Sequence, residues 1–357
     1  MKVAFIVPYP KAMAPSQRFR FEQQLSYLEN QKIDYSFFPF LSEEAFDILY
    51  KPKKYLTKIH FILMGFLKRF LLMFQLQKFE FVFIHREASP IGPPIFEFVI
   101  AKILKKKIIY DFDDAIWLSN TSSANKIVAG IKWHSKVNSV CKWAYKVSCG
   151  NEFLANYAKQ FSNNVNIIPT TVDTTNVHNK TKNQDTKEIV IGWTGTHSTI
   201  KYLYDIEHFL VEMQNKFLFK LLVISNKKPD FKTLKFEYKA WQKETEIEDL
   251  LKMNIGIMPL KADKWAEGKC GFKAIQYMAL GIPAVVSNVG VNEKIVDDNV
   301  NGFVCNAEKD WEIAFEKLFS NEYIRKEFGE KAQKKIALNY STKSQQKNYL
   351  SLFDFSI

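Results

Sequence analysis

The chain has 357 residues, 47% of them hydrophobic, and a formal net charge of +12. This length exceeds the usual size of one hydrophobic core, so we expect a globular protein of two domains. Its four cysteines show neither paired nor metal-ligand spacing, which argues against a disulfide scaffold and indicates a reduced, cytoplasmic protein. No apolar run is long enough to span a membrane, and the apolar run 3–7 is too short for a signal peptide.

The positive charge predicts an anionic partner. Because the basic residues are scattered and nucleic-acid motifs are absent, we expect phosphorylated substrates or a bilayer surface and no nucleic acid. Residues 51–78 combine dense apolar side chains with basic ones and contain no acid. This segment fits an interfacial helix on an anionic membrane, at the inner face of the plasma membrane, and equally an amphipathic helix packed on a sheet. Its basic residues are Lys51, Lys53, Lys54, Lys58, Lys68, Arg69 and Lys78.

A predicted helix over 16–28 follows the first strand, which is expected at 2–7. The helix opens with Arg18 and Arg20. Their guanidinium groups are candidate ligand contacts, and a solvated helix start is the alternative.

Two later strands end in charged side chains at what should be the same sheet edge. Open α/β sheets bind ligands at the carboxyl ends of their strands, so these side chains are candidate site residues. The strand 81–84 leads to His85, Arg86 and Glu87, and the strand 108–110 leads to Asp111, Asp113 and Asp114. His85 is either a ligand contact or a satisfied structural histidine.

The three aspartates allow several interpretations. Carboxylates this close in sequence are costly unless they are solvated, hydrogen-bonded or paired with cations. One hypothesis is a divalent metal that holds a diphosphate. In the others, Asp111 or Asp113 orients a ligand hydroxyl or Arg86, or Asp113 or Asp114 caps a helix.

The second half of the chain begins after a polar, aperiodic segment, 174–187, which we interpret as a linker. A strand over 189–192 leads into a glycine-containing loop and then a helix, an order that lets backbone N–H groups bind phosphate oxygens. The candidate residues of this loop are Gly195, Thr196 and Thr199. Trp241 is either a buried core indole or a stacking partner for a nucleotide base.

The stretch 265–304 has the order of elements that a phosphate pocket needs. A loop with Lys269, Cys270 and Gly271 opens a predicted helix that starts at Phe272 and ends before Gly281. A helix N-terminus attracts anions, and Lys269 and Lys273 would add full charges there. An ordinary αβ unit of a parallel sheet is the alternative.

This stretch resembles the C-terminal signature of glycosyltransferase family 4, which are retaining enzymes of the GT-B fold. The matching residues are the sequences GKCG and QYMALGIPAVV, followed by EKIV and NGF. Two family glutamates are missing. Gln276 occupies the second position and Gly268 the first, with Glu267 one residue away.

The resemblance implies an α/β fold of two doubly wound Rossmann-like domains that face each other across a cleft. It places an acceptor-side domain at 1–174 and a nucleotide-sugar domain at 188–338, with the last helix, 339–357, packing back on the first. It implies retaining transfer of a hexose-type sugar from a nucleoside diphosphate sugar to a hydroxyl acceptor, in polysaccharide or glycolipid synthesis. No metal or other cofactor is expected.

The same resemblance distributes roles among the candidates. Expected catalytic residues are Glu267, Lys273, His85 and Asp113. Donor contacts are expected from Gly195, Thr196, Thr199, Lys269, Cys270, Gly271, Phe272, Lys273 and Gln276, and acceptor contacts from Arg18, Arg20, Arg86, Glu87 and Asp111. Because both family glutamates are displaced, two rival functions stay open: a catalytically silent nucleotide-binding or partner protein, and a sugar-nucleotide epimerase on the same fold.

Overall fold

The structure is a computed structural model that describes residues 1–49, 51, 53–118 and 132–354. Contacts divide the chain into two compact units. The first consists of Met1–Thr170 and Gln345–Ile357, and the second is the continuous segment Thr171–Ser344. Residues 339–344, which the sequence assigned to the returning tail, lie in the second unit.

The first unit is built around one parallel sheet. Its strands are β1 (Lys2–Val7), β2 (Asp34–Pro39), β3 (Phe81–His85), β4 (Lys107–Phe112), β5 (Lys146–Cys149) and β6 (Val165–Ile167). Their order is β2-β1-β3-β4-β5-β6. The central strands are continuous apolar runs, as expected for a sheet that is covered on both faces, and every residue of β3 is buried. Phe5, Phe21 and Phe83 form an aromatic cluster in the core.

Helices and short turns connect these strands. They are α1 (Pro15–Arg18), α2 (Leu25–Asn30), α3 (Glu43–Leu49), α4 (Tyr55–Met73), α5 (Ile95–Phe98), α6 (Lys136–Trp143) and α7 (Glu152–Ala158). A π-helical turn, Val99–Ile103, continues α5. The predicted segment 51–78 thus forms α4 and a 3₁₀ turn, Leu76–Lys78.

The single helix predicted over 16–28 is wrong. The structure has α1, a 3₁₀ turn at Glu22–Gln24 and then α2. Phe19, Arg20 and Phe21 are all buried, at 1%, 3% and 0% exposure. The backbone of Phe21 (φ −139°, ψ −28°) lies outside the α-helical region, so the helix is interrupted there.

The second unit has its own parallel sheet. Its strands are β7 (Val190–Gly195), β8 (Lys220–Ser225), β9 (Glu237–Ala240), β10 (Ile255–Met258), β11 (Ala284–Ser287) and β12 (Gly302–Cys305). Their order is β12-β11-β10-β7-β8-β9. The chain therefore reverses direction across the sheet between β7 and β10, which is the topological switch point at which open α/β sheets bind ligands.

Helices cover both faces of this second sheet. They are α8 (Lys201–Tyr204), α9 (Glu207–Lys216), α10 (Glu246–Leu250), α11 (Lys264–Glu267), α12 (Phe272–Ala279), α13 (Asn292–Ile295), α14 (Glu308–Ser320) and α15 (Glu322–Asn339). The core between sheet and helices contains Trp193, Leu210 and Phe315.

The segment 174–187 has little regular structure, but it packs on the second unit. The backbone N–H of Lys182 donates to the carbonyl of Leu280 at 2.7 Å. Gln184 is 3% exposed, and its amide donates to the carbonyl of Asn254 at 3.1 Å. The interpretation of this segment as a linker is therefore wrong, since it forms part of the second unit, bound through amides that a polar composition does not reveal.

The chain returns to the first unit at its C-terminal end. The predicted last helix, 339–357, is observed as α16 (Gln346–Leu350) followed by a 3₁₀ turn, Ser351–Phe353, and its residues 355–357 lie outside the described residues. The ring of Phe353 lies 5.8 Å from that of Phe81, and the ring of Tyr349 lies 6.2 Å from that of Phe83. The tail therefore contributes to the core around β3.

Candidate functional site

The switch point of the second sheet is held together by one buried side chain. The hydroxyl of Tyr277, on α12, accepts a hydrogen bond from the backbone N–H of Thr194 at 2.9 Å and donates to the carbonyl of Ile257 at 3.4 Å. These two residues belong to β7 and β10. Gly256 leaves the room for this ring, since a Cβ at Gly256 would lie 2.3 Å from it. Tyr277 thus fixes α12 against both strands.

The loop after β7 is closed by its own hydroxyl groups. The side chain of Thr199 donates to the carbonyl of Thr196 at 3.0 Å and accepts from the Thr196 N–H at 3.2 Å. A Cβ at Gly195 would lie 2.4 Å from the ring of Trp193 and 2.7 Å from the Thr199 hydroxyl, so only glycine fits here. Thr199 therefore shapes the loop, and Gly195 lets its backbone lie close to Trp193.

The N-terminus of α12 lies beside this loop. Gly271 starts the helix with a left-handed backbone (φ 65°), and a Cβ there would also lie 2.0 Å from Ile295. The Nζ of Lys273 lies over the ring of Trp193 at 5.5 Å, and that of Lys269 lies over the ring of Tyr202 at 5.9 Å. The aromatic faces of β7 and α8 thus hold two ammonium groups next to a helix N-terminus, an arrangement suited to an anion.

One amide on α12 is buried without a partner. Gln276 is 2% exposed, and its Nε2 has no hydrogen-bond partner among the described residues. A buried donor in this state carries a desolvation cost that a bound acceptor would relieve. Of the other predicted donor contacts, Cys270 is buried, with its thiol 3.9 Å from the Gly268 carbonyl, and Phe272 is half-buried.

A cavity of about 310 Å³ opens next to α11, at the carboxyl ends of β10 and β11. Two carboxylates, those of Glu267 and Glu293, lie in its wall. Gly290 (φ 62°) packs against the carbonyl of Glu267, where a Cβ would lie 3.0 Å away. Carboxylates and amides accept hydrogen bonds from hydroxyl groups, so this wall suits a polyhydroxylated ligand. Its residues are Ala262, Glu267, Asn288, Val289, Gly290 and Glu293.

The first unit has a buried charge cluster where β3, β4 and β5 end. His85, Asp111 and Ser148 occupy paired positions on these three strands. The carboxylate of Asp111 accepts from Ser148 at 2.7 Å, from Arg20 at 2.5 Å and lies 2.8 Å from the His85 Nδ1. Arg20 also donates to the carbonyl of Ile168. Burial favours protonation of Asp111, but the Arg20 charge and the His85 hydrogen bond outweigh it and hold the pKa of Asp111 well below its usual value.

His85 is fully buried in this cluster. Its exposure is 0%, its ring lies 5.4 Å from that of Phe21, and its Nε2 has no hydrogen-bond partner among the described residues. In this structure His85 and Arg20 do not reach solvent, and both stabilise the carboxyl edge of the sheet through their buried contacts to Asp111. A direct contact between His85 and a ligand stays a prediction.

A second pair of ionic contacts lies nearer the surface. Arg86 donates to Asp113 at 2.8 Å and to Asp114 at 2.5 Å. Its backbone is left-handed (φ 60°), and its N–H donates to the Asp111 carbonyl at 2.7 Å. Glu87 pairs with Lys136 at 2.7 Å. Each aspartate of the predicted metal site is therefore paired with an arginine, and no group of three or more metal-ligating side chains occurs in the described part of the chain.

Two candidates each differ from one alternative given by the sequence, and their ligand contacts stay predictions. Trp241 is half-buried and its indole N–H donates to Glu246 at 3.0 Å, so it is not a core indole. Arg18 is 8% exposed, with its guanidinium over the ring of Phe19 at 4.8 Å, so it is not a solvated helix start.

The sequence missed the residues that position the others. Three such residues contact the candidate sites: Tyr277, Ser148 and Glu293. Their contacts join segments that are far apart in the chain, so local pattern does not show them. One signal was present: Ser148 lies in a short apolar strand, where a lone hydroxyl needs a partner.

Comparison with known proteins supports this picture of the second unit. Residues 234–335 match the family model described as Glycosyl transferases group 1. The matched range runs from before β9 into α15 and includes α12, Lys269, Lys273 and the cavity wall. The comparison with curated proteins found no match.

Several solved structures share the fold of the whole chain. Sucrose-phosphate synthase from Thermosynechococcus elongatus is 11% identical with a TM-score of 0.72, over 99% of this chain and 98% of that one. A glycosyltransferase from Rickettsia africae is 14% identical with a TM-score of 0.65, over 99% and 97%. HepE from Anabaena, in a complex with UDP-glucose, is 12% identical with a TM-score of 0.63, over 99% of each chain. Identities this low establish the fold alone. The chain has the two Rossmann-like units of the GT-B fold, and its residues 234–335 are similar to glycosyl transferases of group 1.

Proposed function

We propose that the protein is a retaining glycosyltransferase that moves a hexose-type sugar from a nucleoside diphosphate sugar to a hydroxyl acceptor, in the synthesis of a cell-surface polysaccharide or glycolipid. One observation carries this proposal. The segment that matches glycosyl transferases of group 1 contains the N-terminus of α12, where Lys269 and Lys273 lie over aromatic rings. The complex of HepE with UDP-glucose supports a nucleotide-sugar donor.

The donor is proposed to lie along the carboxyl edge of the second sheet. Its diphosphate meets the N–H groups of the Gly271–Lys273 turn and the ammonium groups of Lys269 and Lys273. Gln276 donates its buried Nε2 to a ribose hydroxyl. The sugar occupies the cavity, where Glu267 accepts from its hydroxyl groups. Gly195 and Thr196 bring the β7 loop against the phosphates from the other side.

Catalysis in this proposal is electrostatic. As the bond between the sugar and the diphosphate stretches, the leaving group gathers negative charge, and donors and cations already in place stabilise that charge. Lys273 is the best-placed cation because Trp193 fixes its Nζ. No side chain is assigned as general base, and no metal takes part.

The acceptor is proposed to meet the first unit at the carboxyl ends of β3 and β4. Arg86, Glu87 and Asp113 are the exposed or half-buried groups there, and they would contact acceptor hydroxyls. The buried cluster of Arg20, Asp111 and His85 has a positioning role. It fixes the end of β4, and the Asp111 carbonyl there accepts the backbone hydrogen bond of Arg86.

Incubation with a panel of nucleotide sugars and acceptors tests the proposal. Release of nucleoside diphosphate that depends on an acceptor, with the anomeric configuration of the donor kept in the product, is the expected result. Conversion of the sugar without an acceptor would show an epimerase instead. Saturable binding without turnover would show a catalytically silent protein, which the absence of glutamates at positions 268 and 276 favours.

A further inference from the structure

Helix α4 presents a continuous apolar surface to solvent. Its exposed large side chains recur every three or four residues, so they lie on one face. Their exposures run from 48% to 84%. We name this face the apolar stripe; it consists of Leu56, Ile59, Leu63, Leu67, Phe70 and Phe74, the last just after the helix.

The opposite face of α4 packs against the rest of the first unit. Arg69 is 1% exposed and donates three hydrogen bonds to backbone carbonyls: to Val7 and Ala88 at 2.7 Å and to Phe38 at 2.9 Å. Gly65 lies against the ring of Phe40, where a Cβ would lie 2.5 Å away. The helix is therefore fixed along the protein surface, with the apolar stripe pointing outward. No helix in the described part of the chain is long and apolar enough to cross a membrane.

Exposed apolar side chains are concentrated here. Of the 21 large hydrophobic side chains that are exposed among the described residues, nine lie between Tyr55 and Phe74. Three more, Ile95, Phe98 and Ile103, lie on α5 and its π-helical turn. These helices are neighbours, because the rings of Phe66 and Phe96 lie 6.0 Å apart. Single exposed apolar residues are normal, but a cluster of this kind marks a contact surface.

The charge around the apolar stripe identifies its partner. Lysines precede the helix, interrupt it and follow it, and 51–78 contains no acid. The acid of the neighbouring helix α5, Glu97, is 1% exposed. The exposed acids nearest in sequence are Asp47, on α3, and Glu80, which lies after the segment and pairs with the N-terminal ammonium group at 3.7 Å. Apolar side chains bordered by lysines complement a surface that is apolar inside and anionic outside, which is the boundary of an anionic bilayer.

We propose that α4 docks in the plane of a bilayer that contains anionic lipid. The apolar stripe enters the boundary between headgroups and acyl chains, and Lys53, Lys54 and Lys68, all exposed, contact lipid phosphates. This inference is independent of the proposed function, since it rests on exposure and charge alone.

Vesicle co-sedimentation with the full chain tests the proposal. We expect binding to vesicles of phosphatidylcholine with phosphatidylglycerol, weakening as salt is raised, and much less binding to phosphatidylcholine alone. Two variants should each weaken binding by about tenfold or more: Leu63→Gln/Leu67→Gln/Phe70→Gln, and Lys53→Gln/Lys54→Gln/Lys68→Gln. All six side chains are exposed, so the variants should fold, and circular dichroism checks this.

Matched controls lie on the second unit. Leu218→Gln/Tyr323→Gln removes apolar side chains that are 94% and 84% exposed, and Lys264→Gln/Lys309→Gln removes exposed charges. Both should bind vesicles like the wild type. Equal binding to neutral vesicles, absence of binding, or an equal loss in the controls would overturn the proposal.

A fluorescent label reports insertion directly. The native cysteines are buried, so an environment-sensitive dye will react at Leu67→Cys or, as control, at Tyr323→Cys. We expect a blue shift with anionic vesicles at position 67 only. If light scattering shows that the wild type self-associates, that the Leu63/Leu67/Phe70 variant does not, and that no shift occurs with lipid, the apolar stripe is an interface between two copies and the proposal is wrong.

Discussion

The ammonium group of Lys273 lies over the indole of Trp193, with Nζ 5.5 Å from the ring centroid. Trp193 is 1% exposed and belongs to β7, whereas Lys273 lies in the first turn of α12. A cation held on an aromatic face near a helix N-terminus is oriented before any ligand arrives, a contact worth about 0.5–2 kcal/mol. The pair therefore joins the sheet to the candidate anion site.

Lys273 and Glu267 should have separate roles. Lys273→Ala should weaken binding of free nucleoside diphosphate by about tenfold or more, because its partner, the diphosphate, is present in donor and product alike. Glu267→Ala should leave that binding unchanged and lower turnover, because its partner is the sugar. Calorimetry with the nucleoside diphosphate, together with rates on the sugar donor, measures both. Lys264→Ala, an exposed lysine on α11, is the control and should change neither.

Equal weakening of nucleoside diphosphate binding by Lys273→Ala and Glu267→Ala would contradict this division of roles. If neither substitution affects binding or rate, the stretch 265–304 is structural.

Gln276 should lower stability while it supports binding. Its Nε2 is buried without a protein partner, so Gln276→Met, which removes the unpaired donor and keeps the length, should raise the free energy of unfolding by about 1 kcal/mol. The same change should weaken nucleoside diphosphate binding, because the ribose loses a donor. Urea unfolding and calorimetry measure the two effects. A loss of stability without a loss of affinity would show that Gln276 serves packing alone.

Asp111 should stabilise the first unit in a way that depends on pH. Asp111→Asn leaves the buried Arg20 charge uncompensated and should cost about 3–5 kcal/mol in urea unfolding. Because the folded-state pKa of Asp111 is depressed, its stabilisation is present above about pH 4, the ordinary Asp value, and is lost as pH falls towards the folded pKa. The difference between wild type and variant should therefore shrink on acidification.

The control for Asp111 is Asp114→Asn. Asp114 is 24% exposed, and Arg86 keeps Asp113 as a partner, so the cost should stay under about 1 kcal/mol. Equal losses in the two variants, or a difference that is constant between pH 7 and pH 3, would contradict the role given to the Arg20–Asp111 pair.

Transfer activity should survive EDTA. The carboxylates that would bind a metal are occupied by Arg20 and Arg86, and the proposed diphosphate site uses lysines and helix N–H groups. Rates in EDTA should match those with added magnesium within about twofold, given that no metal carries charge in the transition state. If the wild type is active only with magnesium or manganese, and Asp113→Asn abolishes that metal-dependent activity, the diphosphate binds at the aspartates instead.

The sequence was sufficient where a structure depends on neighbours along the chain. Apolar runs predicted the central strands, and the order loop, helix, Gly281, strand predicted α12 and β11. The edge strands β2 and β9 were missed because their residues are only partly buried and their apolar pattern is weak.

The candidate sites depend on contacts that local pattern does not contain. Arg20 and Asp111 lie 91 residues apart in sequence, and they pair because the buried segment between α1 and the 3₁₀ turn Glu22–Gln24 brings Arg20 to the end of β4. The same limit applies to Lys273, whose partner Trp193 belongs to another strand. The predicted strand ends identified the charged residues that follow them. The pattern could not assign the partners of these residues, because tertiary packing determines which side chains meet.

The return of the tail to the first unit has a consequence for synthesis on the ribosome. The core around Phe81 and Phe83 is completed by Tyr349 and Phe353, which are made after the whole second unit. The second unit is continuous in sequence, whereas the first must wait for translation of the 174 residues, Thr171–Ser344, that separate its two parts. This takes about 9–35 s. During that interval the core beside β3 lacks the rings of Tyr349 and Phe353. A chain that stops before position 345 would therefore contain the whole second unit but could not complete the core of the first. In every nascent chain, the N-terminal half would be exposed to chaperones before the C-terminal half is made.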